Sequence, residues 1–292
     1  MVQIARTRLP EWFRRSIPVL SAEKTHAVLS EYRLNTVCES ALCPNRSECY
    51  SRKTATFMIL GNVCTRSCGF CAIDAGKPRI VEADEPERVA KAARELGLDY
   101  VVVTSVARDE MPDEGAGHFA ETILALKREI PGVKVEVLTP DFHARRELIA
   151  RVVDAGPSVY NHNLETVERL QKKIRPQASY ECSLKVLETI KSLSSEVTVK
   201  SGLMLGLGET RGEILETARD LRAAGCEILT LGQYLSPGPG HLPVEAFISP
   251  EMFQSIREEL LPTGFLEIFA GPYVRSSYHA GETFLNAVKV GG

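Results

Sequence analysis

The chain has 292 residues, 44% of them hydrophobic, enough for one large or two modest buried cores. Its net charge of −3 argues against nucleic-acid binding through bulk electrostatics, and no run reaches the roughly 18 apolar residues of a membrane span. Met1-Val2-Gln3-Ile4-Ala5-Arg6 has no apolar signal-peptide core, so a cytoplasmic protein is expected, and its eight cysteines read as metal ligands or core thiols rather than disulfides.

Residues 1–53 form an N-terminal extension with nine Lys/Arg against five Asp/Glu. That surplus suits either an ordinary solvated segment or a docking face for an acidic protein partner. Within it Glu23–Tyr32 reads as a helix and Thr36–Tyr50 as a cysteine-bearing loop. From residue 54 to 260 strand and helix alternate. Strands are predicted at Thr54–Leu60, Tyr100–Ser105, Lys134–Thr139, Ser158–His162, Val197–Leu205 and Ile228–Gln233. Helices are predicted at Glu85–Leu96, His118–Ile130, Arg145–Ala155, Tyr180–Leu193, Glu213–Ala224 and Pro250–Leu260. Residues 261–292 form a C-terminal extension with one strand-like run, Phe265–Ala270.

Six βα units imply a parallel sheet with helices outside it and right-handed crossovers. The pattern leaves both an open doubly wound sheet and a partial barrel possible. In either, reactive groups gather at the C-terminal strand ends. The cysteine run after the first strand, Thr104-Ser105, Asn161-His162-Asn163 and Gln233-Tyr234 all fall there.

Cys64, Cys68 and Cys71 follow the first strand with C-x3-C-x2-C spacing and no fourth cysteine nearby. A structural zinc site or three packed thiols would be the bland alternatives. Zinc favours four ligands in paired C-x2-C knuckles, whereas three thiolates hold three corners of an iron–sulfur cube and leave one iron open. With aromatic Phe70 before the third cysteine, this run resembles the signature of the radical S-adenosylmethionine (SAM) enzymes. The resemblance implies that SAM chelates the open iron. An electron from the cluster then cleaves SAM to a 5′-deoxyadenosyl radical.

A second triplet, Cys38, Cys43 and Cys49, lies upstream, and its own alternatives are an additional zinc or a stray trio of thiols. The tail carries Arg275-Ser276-Ser277-Tyr278, which alone reads as a Ser-rich turn with a surface Arg or as a hydroxyl beside a guanidinium, a displaceable oxygen ligand. Both triplets with this tail resemble the lipoyl synthase family over about residues 9–280. Matching pieces include Leu9–Phe13, Cys43-Pro44-Asn45, Thr54–Gly61, Thr104–Asp109, Asn161–Thr166, Lys200–Glu209 and Leu231–Leu235. Arg46-Ser47, Tyr50 and Asn62 depart from the family pattern beside ligands without altering a ligand position. Zinc-stabilised binding modules and other sulfur-inserting radical enzymes, such as biotin synthase or a methylthiotransferase, are the rivals. The auxiliary ligands of those enzymes lie elsewhere.

The resemblance implies an α/β fold, a partial (β/α)6 TIM-type barrel with N- and C-terminal extensions. It implies two 4Fe–4S clusters: Cys64, Cys68 and Cys71 hold one, and Cys38, Cys43, Cys49 and Ser276 the other, with Arg275 beside the serine. The expected reaction inserts two sulfur atoms, at C6 and C8, into an octanoyl chain on a carrier lysine, consuming two SAM molecules. The expected carrier is the glycine-cleavage H protein or a 2-oxoacid dehydrogenase E2 domain. An electron donor such as flavodoxin or ferredoxin and a cluster-repair carrier complete the expected partners.

Around SAM, Thr104 and Ser105 are candidates for the methionine amine or carboxylate, Asn163 and Glu165 for the ribose hydroxyls, and Lys200 for a carboxylate. Phe70, Met204, Gln233 and Tyr234 are candidates for the remaining cofactor contacts, with Gly206–Gly208 making room for adenine. That glycine stretch is not a G-x-G-x-x-G fingerprint, so NAD is not expected. His162 reads as a hydrogen-bonding positioner, and Asp109-Glu110 and Asp113-Glu114 as an acidic loop before a helix N-terminus. Cys182 and Cys226 read as inert core thiols. The coverage of the strand rim by both extensions predicts that residues 36–50 and 272–280 lie together.

Overall fold

The computed structural model of the protein describes residues 9–14, 22–52 and 54–291; the Met1–Arg6 opening lies outside them. Its main sheet runs in strict chain order through β1 (Thr56–Ile59), β2 (Tyr100–Ser105), β3 (Lys134–Leu138), β4 (Val159–Asn161), β5 (Thr198–Leu205), β6 (Ile228–Gln233) and β7 (Glu267–Gly271), all parallel. Strand order never reverses, so there is no switch point of the doubly wound kind. This settles the ambiguity of the sequence pattern in favour of a TIM-type arrangement. Asn35–Thr36 pairs antiparallel with β1 at one edge and β7 forms the other, so the sheet stays open.

Connecting helices are α1 (Glu85–Leu96), α2 (Ala116–Glu129), α3 (Arg146–Asp154), α4 (Tyr180–Leu193), α5 (Arg211–Ala223) and α6 (Pro250–Leu260). Local chemistry sets their ends. Pro86 lies in the first turn of α1 and Gly97, at φ +71°, stops it. Thr210 and Glu213 form a reciprocal capping box on α5, and Ser179 and Ser249 accept the cap bonds of α4 and α6. α1 packs Val89, Ala92, Ala93 and Leu96 inward, and every residue of β1 and β6 is buried. Such continuous apolar strands are what a sheet covered on both faces requires.

Both extensions contain more regular structure than their sequences suggest. The Thr36–Tyr50 loop folds into two short helices, Val37–Ser40 and Arg46–Ser51, each below two turns and therefore without a readable period. The C-terminal run forms β7, whose five residues pair with β6 from Glu267↔Ile228 to Gly271↔Gly232. A final helix, Ala280–Gly291, escaped the sequence reading because glycines lie near both its ends. Among the described residues, no helix is long and apolar enough to cross a membrane.

Polar groups line the inside of the sheet. Lys200 Nζ on β5 donates to Glu136 on β3 at 2.8 and 3.1 Å, and the Tyr100 hydroxyl on β2 donates to the same carboxylate at 2.6 Å. Lys200 and Glu136 side chains are each 1% exposed, so neither has water to fall back on.

Candidate active site

The first cysteine loop leaves β1 and is closed at its base. Val63–Cys64 pairs with Asp74–Ala75, and Gly76 N donates to Cys64 O at 2.8 Å. Inside the loop Arg66 is buried and ties it to two strand ends. Its guanidinium donates to Asp109, beyond β2, at 2.7 Å and to both Asp141 oxygens, beyond β3, at 2.7 Å. Burial alone would raise these two carboxyls, but the Arg66 hydrogen bonds prevail and hold both below the usual carboxylate range. Asp109 therefore serves the cysteine loop and not a helix terminus as the sequence suggested. Asp113 does sit at the start of α2, accepting from Gly115 N and Gly117 N at 3.1 and 3.0 Å.

Two backbone donors already face Cys64 Sγ, from Arg66 N at 3.4 Å and Ala107 N at 3.3 Å. Burial pushes the Cys68 thiol up to about 11, with Arg175 opposing and Cys71 and Cys64 adding. Burial raises Cys71 as well. A segment after β6 lies over this loop: Leu242 N donates to Gly69 O at 3.0 Å, and His241 Nε2 lies 3.1 Å from Cys71 O.

Cys38 and Cys49 sit on the two short helices, with Cys43 in the turn between them. Burial lifts Cys38 to about 11 and Cys49 to about 12, and the neighbouring thiols add to both shifts. Tyr50 anchors this segment: its carbonyl accepts from Thr25 Oγ1 at 2.8 Å, and its hydroxyl bonds Thr36 Oγ1 at 2.7 Å. Arg46 and Ser47 are exposed, so polar residues there cost nothing in burial.

Residues 36–50 and 272–280 do lie together. Asn45 Nδ2 donates to Tyr273 O at 2.7 Å, and the Tyr278 hydroxyl donates to Glu48 at 3.0 Å. Tyr273 in turn donates to Phe13 O at 2.7 Å, which brings the Leu9–Phe13 piece onto the tail. Glycine at 232 permits the close approach of this tail to β6, because a Cβ there would sit 2.1 Å from Val274 O. Arg275 donates to Val274 O at 2.7 Å; burial lowers its pKa, opposed by the nearby Cys43.

One cavity of about 380 Å³ collects these parts. Cys38, Cys43 and Cys49 line it together with Cys71, Arg275 and Ser276. Of the residues assigned to SAM from sequence, Phe70, Asn163, Glu165, Met204, Gln233 and Tyr234 line it too. Glu165 accepts from Asn163 Nδ2 at 3.0 Å, and burial raises its carboxyl despite Arg175 and Asn163. Asn163 Oδ1 is buried without a protein partner, which suits a polar ligand in this cavity; Ser105 Oγ is also unpartnered, but Ser105 is not among the lining residues. Phe70 and Met204 pack on an apolar cluster of Val167, Leu170, Ile174, Leu207 and Tyr234.

Several assigned residues do other work, Gln233 of the lining among them. Lys200 is not among the lining residues and spends its charge on Glu136. Thr104 Oγ1 donates to Leu138 O at 2.9 Å and ties β2 to β3. Gln233 Nε2 donates to Leu205 O, Tyr234 O and Ala246 O while its Oε1 accepts from Ile248 N, so the side chain clamps backbone. His162 Nδ1 lies 3.0 Å from Thr139 O, and burial, with Arg175, lowers its pKa to about 4. It is therefore neutral and positional, as its flanking asparagines suggested. Cys226 is buried, whereas Cys182 is only half-buried. Arg66, Asp141, Glu136 and Arg175 escaped the sequence reading; only Arg66, a cation inside a cysteine loop, carried a signal.

An open TIM-type sheet with a three-cysteine loop after its first strand defines the radical SAM class, and residues 58–221 match the family model of the radical SAM superfamily. Membership implies a 4Fe–4S cluster and SAM. The chain is 52% identical over 276 residues to the lipoyl synthase of Rhodopirellula baltica, covering 94% of this chain and 87% of that one. It is 51% identical over 273 residues to the lipoyl synthase of Caldanaerobacter subterraneus subsp. tengcongensis, covering 94% and 96%. The crystal structure of methylornithine synthase aligns with a TM-score of 0.57 at 15% identity, covering 94% of this chain and 81% of that one, a likeness of fold alone. The chain belongs to the lipoyl synthase family.

Proposed function

We propose that this chain inserts two sulfur atoms, at C6 and C8, into an octanoyl chain carried on a lysine of the glycine-cleavage H protein or a 2-oxoacid dehydrogenase E2 domain. The observation that carries this reading is the shared cavity: Cys38, Cys43 and Cys49 of one triplet, Cys71 of the other, Ser276 and six of the SAM candidates line one space. Bound there, two 4Fe–4S clusters and SAM would supply the carbon radicals and the sulfide that an unactivated methylene requires.

The chain's own residues divide into holders and positioners. Cys64, Cys68 and Cys71 hold the SAM-binding cluster; Cys38, Cys43, Cys49 and Ser276 hold the auxiliary one. Both Ser276 and Ser277 line this cavity, and the choice of Ser276 follows the family motif. Asn163 and Glu165 take the ribose hydroxyls, and Phe70, Met204 and Tyr234 flank adenine. Arg66 fixes the first cysteine loop. The tail, clamped by Asn45 and Glu48, closes the cavity against water, which a radical reaction needs. Reductant would come from a donor such as flavodoxin or ferredoxin, and auxiliary iron and sulfide from a cluster-repair carrier.

Anaerobic incubation with an octanoyl-lysine peptide, SAM and reductant tests the reaction. Mass spectrometry should find two sulfurs gained and two hydrogens lost; a peptide that never gains sulfur would refute it. A structural consequence is separable. Gly232→Ala is expected to push Val274–Ser276 off β6 and cut bound iron from about eight to about four per chain, with deoxyadenosine formation retained. Full iron in that variant would contradict the assignment of the tail to the auxiliary site.

A further inference from the structure

A second, broad-mouthed cavity of about 610 Å³ lies behind the auxiliary triplet. Cys49, Ser277 and Tyr278 line both cavities, so the partition between them is one layer of side chains. The rear cavity runs from that partition past Tyr100 and Lys134, at the N-terminal ends of β2 and β3, to the C-terminal helix Ala280–Gly291. Gly281 lets this helix sit close on the sheet, since a Cβ there would meet the Tyr100 ring at 3.2 Å. Phe284 and Leu285 of the helix complete the lining, and Leu285 is 58% exposed.

Near the partition the wall is built from ion-handling groups. His279 Nδ1 lies 2.9 Å from Glu282 and its Nε2 3.5 Å from Glu48, and Arg52 sits 3.7 Å from each of these carboxylates. Carboxylate and imidazole suit ferrous iron. None of these groups lines the front cavity, which SAM and the acyl chain would fill.

We propose that the rear cavity is the route by which hydrated ferrous ion reaches Cys38, Cys43 and Cys49 while the front cavity is filled. This rests on the auxiliary-cluster reading above and adds to it a place of entry for iron. The ion displaces thiol protons with no change of oxidation state, and sulfide and the oxidation that completes a cube stay with the cluster-repair carrier. Iron entry at the auxiliary site is then independent of release from the front.

The test uses enzyme desalted after one anaerobic turnover, then given ferrous ion of an enriched isotope, with or without SAM and octanoyl-lysine peptide but without reductant. Isotope bound at the auxiliary site is followed by Mössbauer spectroscopy. Wild-type enzyme should load equally fast with the front filled or empty. Leu285→Trp, a plug at the rear mouth, should slow loading about tenfold when the front is filled, and Leu285→Ala should not. Loading of wild-type enzyme that SAM and peptide block, or a Trp variant that loads normally, overturns the route alone. Absence of any second iron site under every condition overturns the auxiliary-cluster reading, and the route with it.

Discussion

Cys68→Ala is expected to abolish deoxyadenosine formation, while Cys43→Ala should still cleave SAM and yield no lipoyl product. The two cysteines belong to loops held by different anchors. Cys68 lies in the loop fixed by Arg66 through Asp109 and Asp141. Cys43 lies between two short helices fixed by Tyr50 and by the tail contact of Asn45. Removing one thiol therefore leaves the other loop's anchors in place. Cys68 also has no neighbouring substitute: the other cysteines of its loop, Cys64 and Cys71, are proposed to hold the same cluster. Deoxyadenosine and lipoyl product, counted per chain in one anaerobic assay, separate the two roles. Equal loss of deoxyadenosine in both variants would defeat this division of labour.

How far the sequence could carry this reading depends on the range of each interaction. α1 was legible to the residue because its apolar period, first-turn proline and terminal glycine are all local. The six strands were legible because continuous burial leaves continuous apolar runs. The cysteine spacings were legible because ligands on one loop are close in the chain. Lys200 and Glu136 are 64 positions apart, and nothing in either segment names the other. Arg66 and Asp141 are 75 apart. For the same reason Lys200 was assigned to a SAM carboxylate: a lysine in a strand says that an anion is near but not which one. β7 was seen as a strand but not as part of the sheet, because partner choice is a matter of register across the fold. The helices at residues 37–51 are too short to show a period, and their shape comes from Thr36, Tyr50 and the tail.

Lys200 decides between two accounts of the barrel interior, and the expected outcome is a loss of stability. Lys200→Met keeps the aliphatic stem but leaves Glu136 buried, with the Tyr100 hydroxyl at 2.6 Å and Asn161 Nδ2 at 3.4 Å as its remaining donors. One-sided removal of a buried ion pair typically costs about 3–5 kcal/mol, because the abandoned charge keeps its desolvation penalty. The urea midpoint should fall accordingly with an unchanged slope. Pairing Lys200→Met with Glu136→Leu removes both charges and should restore most of the loss, since a buried pair exchanged for apolar groups is often neutral or better. A double-mutant cycle then isolates the coupling between the two positions. Were Lys200 instead a ligand for SAM, the single variant would keep its midpoint and lose SAM affinity, and the second substitution would rescue nothing. The geometry favours the first outcome: Lys200 makes two bonds to one carboxylate, and both side chains are shut off from solvent.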